Sequence, residues 1–150
     1  MEAVWADGFY IGTSATSATP PVWTYAPLCK GIESVTPNIN EQNQQYFFIC
    51  GHGGAHNEVT GIAPQYDVSG RRIVGDTAQD YIDGLKYKLG DERKSSFKIV
   101  VNGETIVADC TIGNIVSFGG NTLDVNQFSF TIYVNGIPTV TPNHTYPYRL

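Results

Sequence analysis

Charge is scarce in this sequence. Of 150 residues, 15% are Asp, Glu, Lys or Arg, against about 25% in an average soluble domain, so much of the surface has to be neutral. Positive charge is the scarcer sign: 14 acids face 9 bases, for a net charge of −5. Seven of the nine bases fall between Arg71 and Lys98, where Asp76, Asp80, Asp83, Asp91 and Glu92 nearly cancel them. That interleaving reads as a solvated helix face and its flanks, and it speaks against a phosphate-binding patch. Cysteine is sparse as well. Cys29, Cys50 and Cys110 are odd in number and widely spaced, which excludes a disulfide framework and points to synthesis in a reducing compartment.

Long apolar runs are missing, and none approaches the 18 residues a membrane-spanning helix needs. With no N-terminal signal pattern either, the expectation is a chain made in a cytoplasm that spans no membrane. Neither G-x-G-x-x-G nor G-x-x-x-x-G-K-[ST] occurs, so no phosphate loop is expected. His52-Gly53-Gly54 lacks the G-x-S-x-G elbow an esterase would need. Cys50, His52 and His56 have metal-ligand side chains, but three ligands are all this stretch offers where zinc takes four, or three around an open position. It reads as a glycine-rich loop. No pair among the acids is singled out for glycosidase chemistry. The expectation is a non-enzyme with no catalytic residue, no metal and no cofactor.

What is present is β-rich: many Thr, Val, Asn and Tyr, with 16 glycines and 8 prolines. At 150 residues one domain is the prior, burying roughly 70% of its unfolded surface without staples. Strand material is expected at Phe9–Ile11, Val22–Tyr25, Cys29–Ile32, Glu58–Tyr66, Thr111–Phe118 and Leu123–Phe128. The apolar run Tyr46–Cys50 has the character of a strand covered on both faces. A loop is expected at 12–21, a long polar connection at 33–45, and an extended arm at about 141–150 whose Tyr146 and Tyr148 need a surface to cover. Trp5 sits where a chain end is normally polar and should pack on something.

One helix is expected near 77–89. Asp76 and Gln79 have capping-box spacing, Tyr81, Ile82, Leu85 and Leu89 share a helical face, and Gly90 supplies a stop. Gly84 and the alternation from Leu85 to Leu89 argue against it. The C-terminal half nearly repeats itself, with FKIVVNGETIV from Phe97 and FTIYVNGIPTV from Phe130. Each carries Asn-Gly between apolar segments, so two hairpins are expected, at Asn102-Gly103 and Asn135-Gly136. Pro138 belongs at a strand edge or near a strand end.

The order of these features resembles the major tail (tail tube) proteins of long, non-contractile-tailed phages infecting Gram-positive bacteria. Gly75, Asp76, Tyr81 and Ile82 match a GD-x-x-x-x-YI helix. Leu89, Gly90, Asp91, Arg93 and Lys94 match its LGD-type close before the strand at Phe97, and Val134-Asn135-Gly136 matches a C-terminal hairpin. The likeness runs from about residue 9 to 140; the 51–56 loop and the aromatic arm depart from it. The resemblance implies a β-sandwich or partial barrel with one flanking helix. It also implies hexameric rings stacked into a virion tail tube that conducts genomic DNA without binding it specifically. Implied partners are further copies of the chain, a tape measure protein in the lumen, and tail terminator and distal tail proteins at the ends. Candidate subunit-interface residues are Trp5, Phe9, Tyr10, Asn102, Gly103, Asn135, Gly136, Tyr146 and Tyr148. Two other readings stay open: the tube protein of a contractile injection or secretion system, and a monomeric β-sandwich module whose Trp23, Tyr25, Tyr46 and terminal tyrosines stack on carbohydrate.

Overall fold

The computed structural model describes residues 8–17, 21–101, 103–123 and 125–142. The strands are β1 (Gly8–Ala15), β2 (Trp23–Pro27), β3 (Ile32–Asn38), β4 (Gln42–Phe47), β5 (Ala55–Gly61), β6 (Gln65–Arg71), β7 (Lys94–Val101), β8 (Glu104–Val116) and β9 (Gln127–Pro142), with helix α1 (Thr77–Asp83) between β6 and β7. Seven strands form one antiparallel sheet in the order β2-β1-β7-β8-β9-β6-β3, while β4 and β5 pair only with each other. The fold is mainly β with one helix, as the sequence led us to expect.

Alternation along the strands sets the core. Ile11, Ala26, Val68, Phe97, Ile99, Cys110, Ile112, Phe128, Phe130 and Ile132 point to one face and are buried, each Ile or Phe contributing about 1.5–3 kcal/mol. Ala78, Ile82 and Leu85 close over that face. The Cys110 thiol is pushed up to about 12 by burial.

The helix is shorter than its pattern suggested. Asp76 caps it, its carboxylate accepting from the Gln79 backbone N–H at 3.3 Å, but the reciprocal half of the box is absent. The Gln79 side chain turns inward: Oε1 accepts from the Ile73 N–H at 2.7 Å, and Nε2 donates to the carbonyls of Lys30 and Arg71 at 2.8 and 3.0 Å. Gly84, not Gly90, forms the C-cap. Beyond it Arg93 donates to the Lys86 and Lys88 carbonyls, each at 2.8 Å, taking acceptors that a longer helix would have used. Leu85 is still buried, but Tyr87 and Leu89 are each 83% exposed.

Only one Asn-Gly makes a hairpin. β7 turns into β8 through Gly103, at φ +76, with Val101 opposite Glu104; Asn102 lies outside the described residues. Asn135-Gly136 lies inside β9, where Gly136 (φ +80) starts a bulge. Gly136, Ile137 and Pro138 there stand against Ala108 alone. A hairpin at this point is not available, because residues 127–133 already pair with β6 on one side and 129–134 with β8 on the other. Pro138 at the bulge forfeits no ladder bond.

Four further expectations are corrected. β1 runs on to Ala15, into the expected loop, because residues 11–15 pair with β2. The polar stretch after Ile32 is a strand, paired with β6 from Ile32 to Asn38, and β9 reaches Pro142 opposite Glu104. Leu123, expected to open a strand running to Phe128, is on an exposed loop.

Candidate functional site

No cluster of reactive groups emerges. Among the described residues no group of three His, Cys, Asp or Glu side chains is placed to hold a metal ion. Cys50 and His52 lie exposed on the turn between β4 and β5, and His56 Nε2 meets Glu58 Oε1 at 3.2 Å. The features that stand out are surfaces.

The first is the β4–β5 hairpin. Every residue of β4 is exposed, as are all of β5 except Gly61, and the two strands make extensive contact only with each other. The run Tyr46–Cys50, expected between two layers, is at the tip. Phe47, Phe48 and Ile49 are exposed, Ile49 at 99%, and Tyr46 stacks on Phe48 with ring centroids 6.0 Å apart. A two-stranded hairpin is marginal by itself in water, so one this bare calls for a support.

The second surface lies at the opposite end of the sheet. The hairpin leaves where β3 ends, with Asn38 opposite Gln65 and Gln65 opposite Tyr133. At the other end Arg71 is opposite Gln127, and there the chain presents the turn after α1 and the β8–β9 loop. Lys86 ties the two together. Its Nζ bonds Asp83 Oδ1 at 3.0 Å and Ser117 Oγ at 3.3 Å, and lies 5.5 and 5.7 Å from the Tyr87 and Phe118 rings. Those two rings are exposed, as are Leu89 ahead of β7 and Leu123 and Val125 on the β8–β9 loop. The Ser117 hydroxyl, Lys86 and Arg72 hold the Asp83 carboxyl below its usual range.

The third is the sheet face away from the core. Strands β3, β6, β8 and β9 contain one base, Arg71, and four acids, Glu33, Asp67, Glu104 and Asp109. Arg71 is paired with Glu33 at 3.0 Å. Ser34 and Ser69 share a hydrogen bond of 2.7 Å, and Thr131 donates to Asp67 at 2.9 Å. With Thr36, Asn114 and Ser129 they line a shallow concavity of about 380 Å³. This face is hydroxyl-rich and faintly acidic.

The sequence-predicted interface residues are dispersed. Phe9 is half-buried against the core. Tyr10, on the opposite face of β1, has Lys98 over its ring at 5.0 Å. Asn135 Nδ2 donates to Thr111 Oγ1 at 3.0 Å. Trp5, Asn102, Tyr146, Tyr148 and the arm from residue 143 lie outside the described residues. What the sequence reading missed are Phe47, Phe48, Ile49, Tyr87 and Leu123 as exposed apolar groups. A signal was there: the run at 46–50 is bounded by NEQNQQ and GHGG, the flanks of a projecting turn.

No family model matches this sequence, and no curated protein matches it. Solved structures do. A tail subunit of an empty gene transfer agent particle, determined with helical refinement and C6 symmetry, superposes with a TM-score of 0.69 at 10% identity, covering 94% of this chain and 99% of that one. The cap that terminates the tube of the anti-feeding prophage superposes with a TM-score of 0.59 at 14% identity, covering 95% and 91%. At such identities the likeness establishes the fold, which is that of tail-tube-like proteins.

Proposed function

We propose that this chain is the structural subunit of a phage-type tail tube. Copies close side by side into six-membered rings, the rings stack, and the tube conducts DNA from the particle at ejection. The observation that carries this is the end-to-end fold match to a subunit of a six-fold symmetric tail.

The chain's own surfaces support it. Among the described residues the sheet is open: β2 pairs only with β1 and β3 only with β6. Edges of this kind recruit further strands unless they are guarded. Joining the β3 side of one copy to the β2 side of the next is a heterologous contact that closes when the rotation fits a ring. The nearly base-free face of β3, β6, β8 and β9 is suited to the lumen. Each phosphate neutralised by Lys or Arg strengthens adhesion of DNA, and these four strands offer only Arg71, already paired. The bases at Lys86, Lys88 and Arg93 then lie outside or between subunits. In this reading a tape measure protein fills the lumen during assembly, terminator and distal tail proteins bind the two ends, and the virion tail is where the protein resides.

The prophage cap favours a second reading, an end-capping protein of a contractile system. A terminator needs one inert end, whereas this chain is apolar at both ends of its sheet, which favours a repeating tube subunit. The carbohydrate-binding reading is weakened because Tyr25 is engaged, its hydroxyl 2.8 Å from Ser96 Oγ and Lys98 over its ring. Negative-stain electron microscopy over a concentration series, with light scattering for mass, tests the proposal. Six-fold rings or tubes with an axial hole wide enough for duplex DNA are expected; a chain monomeric at all concentrations refutes it.

A further inference from the structure

We infer that the tubes grow by a head-to-tail contact in which the β4–β5 tip of one copy seats on the Tyr87–Phe118–Leu123 patch of a second copy. The inference rests on the tube reading above and adds the two surfaces that join along the axis.

Four observations converge on it. Both surfaces are apolar and exposed, and burying them against each other removes the cost of hydrating each. They lie at opposite ends of the sheet, so copies stacked in one orientation bring the tip of each against the patch of the next. A contact between different surfaces repeats without closing unless a rotation closes it, which is the geometry of a filament. Reach is sufficient as well: β4 has six residues, about 20 Å at the strand rise of roughly 3.3 Å per residue, which carries the tip clear of its own body. Charge agrees too. Residues 39–64 hold Glu41 and Glu58 and no Lys or Arg, while the turn after α1 and the β8–β9 loop, residues 83–94 and 117–126, balance Lys86, Lys88, Arg93 and Lys94 with Asp83, Asp91, Glu92 and Asp124. The hairpin is acidic and the end that receives it is neutral, so like charges do not oppose the contact.

Docking gives the hairpin the support it lacks. Phe47, Phe48 and Ile49 enter between Tyr87, Phe118 and Leu123, and the Lys86 ammonium, already beside two rings, borders the seat. Lys88, which makes no ion pair among the described residues, is placed to meet an approaching carboxylate.

Because the two halves of the contact differ, they can be broken separately and recombined. Ile49→Asp disables the tip and leaves the patch intact; Leu123→Asp does the reverse. At 99% and 98% exposure neither side chain touches the core, and unchanged thermal melts would verify folding. Each variant alone should form rings but need about tenfold more protein, or higher, to polymerise. Mixed one to one, the intact tip of Leu123→Asp can seat on the intact patch of Ile49→Asp, so particles of twice the ring mass should appear and grow no further. Wild-type tubes beside variants that polymerise equally well, or a mixture with no such pairs, overturn the docking surfaces while leaving the tube reading intact. A wild type that never assembles removes both.

Discussion

Replacing Gln79 should cost this protein a large part of its stability. The side chain is 0% exposed and holds three segments together: Oε1 receives the Ile73 N–H at 2.7 Å and Arg72 Nη1 at 3.4 Å, while Nε2 reaches the Lys30 and Arg71 carbonyls at 2.8 and 3.0 Å. Gln79→Ala strands one backbone donor and two backbone acceptors where water is scarce. Each unsatisfied group costs about 1–3 kcal/mol, and truncation leaves a cavity besides. Allowing for water entering that cavity, a loss of about 3–5 kcal/mol is expected, from a total that rarely exceeds about 15 kcal/mol. For a chain of this length that is a fall in melting temperature of about 10 °C. Gln79→Met separates the causes, since it keeps most of the volume and none of the hydrogen bonds. Guanidinium unfolding followed by far-UV circular dichroism, below the assembly concentration, measures both. Should Gln79→Met unfold within about 1 kcal/mol of wild type, the hydrogen bonds would not be what holds α1 to the β2–β3 and β6 ends.

Acid should destabilise the fold in a definable window. The Asp83 carboxyl is held low by Ser117, Lys86 and Arg72, so its stabilisation is complete above the unfolded value of about 3.9 and is lost as pH falls through the lower folded value. Asp83→Asn should lower stability at pH 7 and flatten the decline below about pH 4; an unchanged acid limb in urea titrations would refute this. Thiol counting should find two reactive cysteines: exposed Cys29 and Cys50 react with a maleimide at pH 8, and Cys110, buried and pushed up to about 12, reacts only after unfolding. Gly70→Ala should release β3, because a methyl there would fall on the Gly31 carbonyl oxygen and crowd the Ile32 backbone; a variant with native amide exchange protection across β3 would contradict it. Thr36→Lys, at an exposed position on the base-free face, should leave tubes intact and make them retain DNA in a salt-dependent way, whereas equal release from variant and wild-type tubes would place that face away from the lumen.

Local chemistry was legible in the sequence, and long-range competition was not. The apolar segments FKIVV and FTIYV read as strands, and so they are, within β7 and β9. Asp76 read as an N-cap because capping is decided within one turn. The two Asn-Gly pairs look alike locally, yet only 102–103 turns the chain, since whether 135–136 folds back depends on β6 and β8 having occupied both sides of β9. Leu89 fits the helical period but is exposed because Arg93 draws off the carbonyls that would have extended the helix. The run at 46–50 carried the deepest error. Apolarity reports that a surface will be covered, without saying whether its own chain or another copy covers it, and among the described residues nothing covers this one.

In the proposed tube, the open surfaces of the subunit set the order of assembly. Its unfinished surfaces are of two kinds, strand edges along the sides of the sheet and apolar groups at its ends, and in both kinds the matching half lies elsewhere on the molecule. Two copies stacked or joined in the same orientation therefore satisfy one half of each contact and leave the other half open. A lateral ring closes and gathers several hairpins on one end, so that the next ring is met by many tips at once. Weak single contacts then add through effective concentration, and growth along the axis becomes favourable only after rings exist. The order follows from the placement of the surfaces: tip substitutions such as Ile49→Asp should lengthen the interval between ring and tube while leaving ring formation unchanged, and a variant that lost rings and tubes together would show that the hairpin serves the lateral contact instead.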